Sequence, residues 1–160
     1  MRVFREEEIR RYMDIDLEAI NVVEQGFTSL SRNEARMPPI MRVDVPEHHG
    51  EVDVKTAYIP GLELFCIKIS SGFFDNHKRG LPSGSGMMLL MDAHTGIPKA
   101  VLLDNGYLTD VRTAAAGAIA AKYLARQNIE TAGVIGAGSQ ARWQMRALRK
   151  VRNFQRIMVY

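Results

Sequence analysis

One cysteine, Cys66, stands among 160 residues, which excludes an internal disulfide. It lies inside "LELFCIKIS" and reads as a small buried hydrophobe rather than a nucleophile. No apolar run approaches the ~20 residues that span a bilayer, so no transmembrane helix is expected. The N-terminal "MRVFREEEIRR" is charged and has no apolar core of a secretory signal. These absences fit a cytoplasmic protein without membrane association. Acid is missing from residues 142–156, "RWQMRALRKVRNFQR", which carry five Arg and one Lys and account for the net charge of +3. No nucleic-acid motif accompanies that run. It reads as a solvated helix face or part of a phosphate-binding region, with no nucleic-acid partner. No metal site is expected either, because His48 and His49 are adjacent and point apart.

The remaining composition, 46% hydrophobic and 24% charged, is that of an ordinary globular protein. The length allows one domain, or one domain and part of another. "FREEEIRRYM" reads as a short helix and "DIDLEAINVVEQGFTSLSRN" as a longer one, with Asp16 as its N-cap. Strand patterns follow in "IMRVDV", "VDVKTAYI" and "LELFCIKIS". Residues 72–86 form a Gly/Ser/Pro-rich loop, and "AHTG" reads as a hairpin turn between "MMLLMD" and "IPKAVLLD". From Tyr107 the chain becomes Ala-rich and helix-forming in "YLTDVRTAAAGAIAAKYLARQ".

The segment "TAGVIGAGSQARWQ" carries the most chemistry. Gly136, Gly138 and Ala141 fit G-x-G-x-x-G/A. The first glycine permits a tight turn, and the second lets backbone approach a pyrophosphate. The small third residue lets helix pack on strand. A strand precedes the pattern, and a helix and the strand "RIMVY" follow it, which makes a βαβ opening of a doubly wound domain. Only 24 residues follow Gly136, and such a domain needs several more strands. The chain is therefore expected to stop inside this domain, as a fragment or a shortened gene product. The acidic residue that reads the adenosine ribose would lie beyond Tyr160, so these residues do not decide between NAD and NADP; NAD is the cofactor expected, with NADP left open. The expected architecture is α/β: an N-terminal α+β domain over 1–106, a connecting helix over 107–130, and the start of a Rossmann domain over 131–160.

Three cations stand out. Lys68 shares a strand face with Leu64 and Cys66, where an unpaired charge is costly. It is either functional or an edge-strand lysine reaching water. Arg112 lies in the first turn of the Ala-rich helix, where the dipole disfavours a cation. An anionic ligand, or Asp110 or Asp104, would neutralise it. Arg42 alternates with Met41 and Val43 and could equally be a surface residue.

"IKISSGFFDN", "GLPSGSGMMLLMDAHTGIPKAVLLDNGYLTDVRTAAAGAIAAKYLA" and "GVIGAGSQA" together resemble the ornithine cyclodeaminase/mu-crystallin family. "SSGFFDN" and "LLDNGYLTDVRTAAAG" resemble most the cyclodeaminase-like proteins of ectoine-utilisation gene clusters. The resemblance implies a substrate and dimerisation domain followed by an NAD(P)-binding Rossmann domain. It implies a homodimer formed through the N-terminal domain, and an amino acid as the small-molecule substrate. Arg42 and Lys68 would contact the substrate carboxylate, and Lys68 would exchange protons in catalysis. Arg112 would lie between substrate and dinucleotide. Ser83 falls where the family often has a cofactor-contacting threonine, and Ser139 and Gln140 match its cofactor-binding turn. The family's catalytic aspartate has no counterpart here. The implied activity is cyclodeamination of an amino acid to a cyclic imino acid and ammonia. The alternatives are a ketimine reductase or alanine dehydrogenase on the same fold, or a non-enzymatic, crystallin-like ligand binder.

Overall fold

A computed structural model describes all 160 residues. In chain order the elements are β1 (Arg2–Arg5), α1 (Glu6–Tyr12), α2 (Leu17–Ser31), β2 (Met41–Val45), β3 (Gly50–Ala57), β4 (Leu64–Phe73), β5 (Gly84–Asp92), β6 (Pro98–Leu103), α3 (Tyr107–Leu124), β7 (Thr131–Val134), α4 (Ser139–Val151) and β8 (Arg156–Val159). Single 3₁₀ turns cover Pro46–His48 and Asn76–Arg79. The residues form two compact units: Met1–Tyr12 with Ser29–Tyr107, and Met13–Thr28 with Leu108–Tyr160.

The first unit is built on one six-stranded mixed sheet in the order β1-β6-β5-β4-β3-β2. All pairings are antiparallel except β1 with β6. Strand alternation sorts the side chains into two faces. Cross-strand register puts Val43, Val52, Val54, Ile67, Ile69, Met87, Leu89, Val101 and Val3 on one of them. Several of these stay exposed, among them Val3 at 52% and Val43 at 53%. The opposite face carries Arg42, Asp53, Lys55, Lys68, Ser70 and Met88. The "AHTG" turn forms as expected. Asp92 Oδ1 accepts from the backbone N–H of His94 and Thr95 at 3.0 and 2.9 Å, and Asp92 N donates to Ile97 O at 3.0 Å.

One element departs from the sequence reading. Phe4 and Arg5, read as the start of the short helix, instead belong to strand β1, aligned with β6 from Arg2↔Ala100 to Arg5↔Leu103. Its partner lies nearly a hundred residues away, so local pattern carries no trace of it.

In the second unit, Asp16 caps α2 as expected, its Oδ1 accepting from Ala19 N at 2.8 Å. The core holds Ile15, Ile20, Val111, Ala114, Ala115, Ala118, Trp143 and Ala147. Full burial of a side chain such as Ile20 contributes about 1.5–3 kcal/mol. The Ala-rich α3, expected as a connector, thus packs with residues 131–160, and Met13–Thr28 joins them. Gln144 Nε2 on α4 donates to Thr113 O on α3 at 3.1 Å. Arg152 donates to the carbonyls of Lys122, Ala125 and Arg126, which satisfies the end of α3. Strands β7 and β8 pair in parallel across α4, which is the expected βαβ unit.

Candidate functional site

The Gly-Ala-Gly turn leaves β7 with Gly136 at φ 86, a left-handed conformation that glycine adopts at no steric cost. Gly136 N donates to Tyr160 O at 2.7 Å, so the β7–β8 ladder runs right up to the turn. Gly138 is extended and serves as the N-cap of α4, and no side chain caps the helix. Nothing lies within 4 Å of where a Cβ would sit on Gly136 or Gly138. An uncapped helix start with open space before it suits a phosphate, because first-turn N–H groups and the helix dipole both favour negative charge. The residues present therefore fit a dinucleotide pyrophosphate. A cleft of about 440 Å³ beside the turn is lined by Ala137, Gly138, Ser139, Arg142, Trp143 and Arg146.

The basic run on α4 is largely committed to structure. Arg146 donates twice to Asp14, at 2.9 and 2.8 Å, and lies 4.4 Å over the Trp143 ring. Arg149 stacks on Phe154 at 4.6 Å, and Arg152 closes α3.

The sheet of the first unit holds a second polar cluster. Arg42 on β2 lies opposite Asp53 on β3, and Asp53 lies opposite Ser70 on β4. Lys68 lies opposite Lys55 on one side and Met88 on the other. Lys55 Nζ donates to Asp53 Oδ2 at 2.8 Å. Asp53 Oδ1 is buried and has no hydrogen bond within the chain. The hydrogen bond from Lys55 holds the Asp53 carboxyl below the usual carboxylate range, and the charges of Lys55, Arg42 and Lys68 lower it further. Arg42 Nε donates to Asp44 Oδ1 at 2.8 Å, and its guanidinium also pairs with Glu51. These acids push Arg42 up, Asp44 most strongly, so it stays charged. Cys66, one residue pair along from Lys68, has its thiol raised by burial and by the Asp104 carboxylate, against the charge of Lys68. It is a poor nucleophile at neutral pH.

Residues 2–160 match the ornithine cyclodeaminase/mu-crystallin family model. The chain belongs to this family. An uncharacterized cyclodeaminase of Sinorhizobium fredii is 55% identical over 161 aligned positions, covering 100% of this chain and 49% of that protein. The structure of Thermococcus litoralis Δ1-pyrroline-2-carboxylate reductase in complex with NADH and L-proline superposes with a TM-score of 0.94 at 35% identity, covering 100% of this chain and 49% of that one. An archaeal alanine dehydrogenase dimer with bound NAD gives a TM-score of 0.90 at 34% identity, covering 100% and 48%. The chain spans about half the length of the curated relatives it matches.

Within this cyclodeaminase/crystallin fold, Arg42 and Lys68 fall on one face of the sheet, around Asp53. Lys68 is half-buried on an interior strand, which removes the edge-strand reading of it. Ser83 is exposed just before β5, and its carbonyl accepts from Phe73 N at 2.8 Å. Gly136, Gly138, Ser139, Gln140 and Ala141 form the turn and first residues of α4. Arg112 is exposed on α3, and its suggested neighbour Asp110 instead accepts from Ser139 and Gln140.

Asp53 escaped the sequence reading, and Asp110 was read there only as a partner of Arg112. Asp53 was legible in principle: "EVDVK" alternates charge with valine, which puts Glu51, Asp53 and Lys55 on one face. The partners Asp110 actually takes, Ser139 and Gln140, lie about thirty residues away in sequence.

Proposed function

We propose that this chain supplies the substrate-binding sheet and the opening βαβ of an NAD-dependent enzyme that works at the C–N bond of an α-amino acid, as a cyclodeaminase. The observation that carries this reading is the cluster of two cations, Arg42 and Lys68, and one carboxylate, Asp53, on one sheet face. An amino acid brings a carboxylate to cations and an ammonium to a carboxylate. Arg42 and Lys68 hold the carboxylate through charge-assisted hydrogen bonds, and Asp53 Oδ1 offers a free acceptor to an ammonium. Alanine uses both features as well, so the choice of a cyclodeaminase substrate rests on the family resemblance. Family resemblance points to a basic amino acid or an ectoine-pathway intermediate.

Lys68 is the proposed proton carrier. It lies opposite Lys55 on the strand ladder, on the same sheet face as Arg42 and Asp53. Gly136, Gly138, Ser139, Gln140 and Ala141 receive the cofactor's pyrophosphate, with Arg112 on α3 adding positive charge. Ser83 is the further cofactor contact that the family resemblance suggests. When bound, NAD would supply the hydride chemistry at Cα, with no net redox change in cyclodeamination. Holding the donor carbon in one orientation is the protein's main contribution. The exposed apolar sheet face with Val3, Met41, Val43 and Ile69 is the proposed dimer surface, in line with the dimeric alanine dehydrogenase.

The test is an assay of the full-length protein with NAD and ornithine, lysine or 2,4-diaminobutyrate, following ammonia and NADH together. Ammonia without net NADH is the expected result. Net NADH turnover with alanine or a cyclic imine would replace this reading by the oxidoreductase one. Silence with all of these substrates, despite cofactor binding, would leave a ligand-binding protein.

A further inference from the structure

We propose that Asp110 is a positioning residue that keeps the dinucleotide turn open, an inference that rests on the cofactor reading above. Helix α4 begins on a glycine, so no N-cap side chain occupies its orphan N–H groups. The polar side chains best placed to fold back onto those groups are Ser139 and Gln140, in the first turn. Both are drawn away to α3. Ser139 Oγ donates to Asp110 Oδ2 at 3.0 Å, and Gln140 Nε2 donates to Asp110 Oδ1 at 2.5 Å.

The arrangement extends one step deeper. Gln140 Oε1 accepts from Gln144 Nε2 at 3.5 Å, and the same Gln144 amide donates to Thr113 O at 3.1 Å. One face of α3, from Asp110 to Thr113, is thus bonded to the first turn and a half of α4. A carboxylate accepts two donors at once, which an uncharged side chain of this size does less well. Asp110 also sets an apparent paradox: it puts negative charge beside a site meant for an anion. An electrostatic role alone predicts that removing the charge tightens dinucleotide binding. A positioning role predicts the opposite, because the loosened Ser139 and Gln140 then compete for the N–H groups.

The experiment compares full-length wild type, Asp110→Ala and Asp110→Asn. It measures NADH affinity by fluorescence, and competition by ADP-ribose, which has the pyrophosphate, and by adenosine, which lacks it. Asp110→Ala should weaken NADH and ADP-ribose about tenfold or more, because the released Ser139 and Gln140 compete for the N–H groups. Adenosine should lose less than about twofold, while the thermal midpoint of the free protein falls by a few degrees as the two bonds between α3 and α4 are lost. Asp110→Asn keeps one acceptor oxygen and should fall between wild type and Asp110→Ala. Should Asp110→Ala fail to fold, the ADP-ribose to adenosine affinity ratio of Asp110→Asn decides. Unchanged or tighter NADH binding, or parallel losses for ADP-ribose and adenosine, overturns the proposal. Wild type that binds neither NADH nor ADP-ribose refutes the cofactor reading itself, which is a different result from wild-type binding left untouched by the substitutions.

Discussion

Replacing Lys68 by methionine separates a functional charge from a structural one. The side chain is half-buried on the interior strand β4, between Lys55 on β3 and Met88 on β5. Methionine keeps the length and apolar stem that pack there and removes only the ammonium. Two effects on stability then oppose each other. Like charges directly across a strand pair cost roughly 0.2–1 kcal/mol, so losing the Lys55–Lys68 repulsion stabilises the sheet. Losing the attraction between Lys68 and Asp53 destabilises it. The thermal midpoint should therefore move by no more than a few degrees. Catalysis is a different matter. Removing one partner of a desolvated charge pair with the substrate carboxylate costs about 2–5 kcal/mol. At 1.4 kcal/mol per factor of ten, kcat/KM should fall by roughly thirtyfold to several-thousandfold. Steady-state kinetics on the full-length enzyme and a melting curve on the same preparations provide the check. Near-normal kcat/KM in Lys68→Met would remove Lys68 from the site. A large drop in midpoint with unchanged kinetics would make it a sheet residue.

Gly117→Ala should destabilise the second unit by about 1–2 kcal/mol, although alanine favours helix. Its Cβ would fall 1.9 Å from Gln144 Oε1, so Gln144 must swing away and give up its bond to Thr113 O. The double variant Gly117→Ala/Gln144→Ala should recover part of that loss in denaturant unfolding, and a neutral single variant would contradict the packing described. Asp92 is held well below the usual carboxylate range, first by the hydrogen bond from Lys99 and then by those of the "AHTG" turn. A lowered native pKa gives stability that is present above the ordinary carboxylate value and lost as pH falls toward the native one. Asp92→Asn should thus melt below wild type at pH 7, and the gap should close as pH drops under about 4. A gap that stays constant down to pH 2 would rule out that linkage.

Local chemistry made much of this protein legible in its sequence. Asp16 caps α2 because a carboxylate reaches the N–H three residues on, whatever surrounds it. The hairpin at "AHTG" and the turn at Gly136 follow from residues that tolerate or stabilise particular backbone angles. Alternation placed Lys68 with Cys66, helix periodicity placed α2, and alanine-rich helix propensity placed α3. What tertiary structure alone decided is which distant groups share these surfaces. Strand β1 exists because β6 offers it a parallel edge. Lys68 lies on an interior strand only once β3 and β5 flank β4, and only then do Arg42, Asp53 and Lys55 become its neighbours. Asp110 is one more acid on a helix until α4 brings Ser139 and Gln140 to it. Backbone preference acts within a few residues, whereas a charge acts on whatever the fold brings near it. The elements could therefore be read from the chain, and the company kept by the site residues could not.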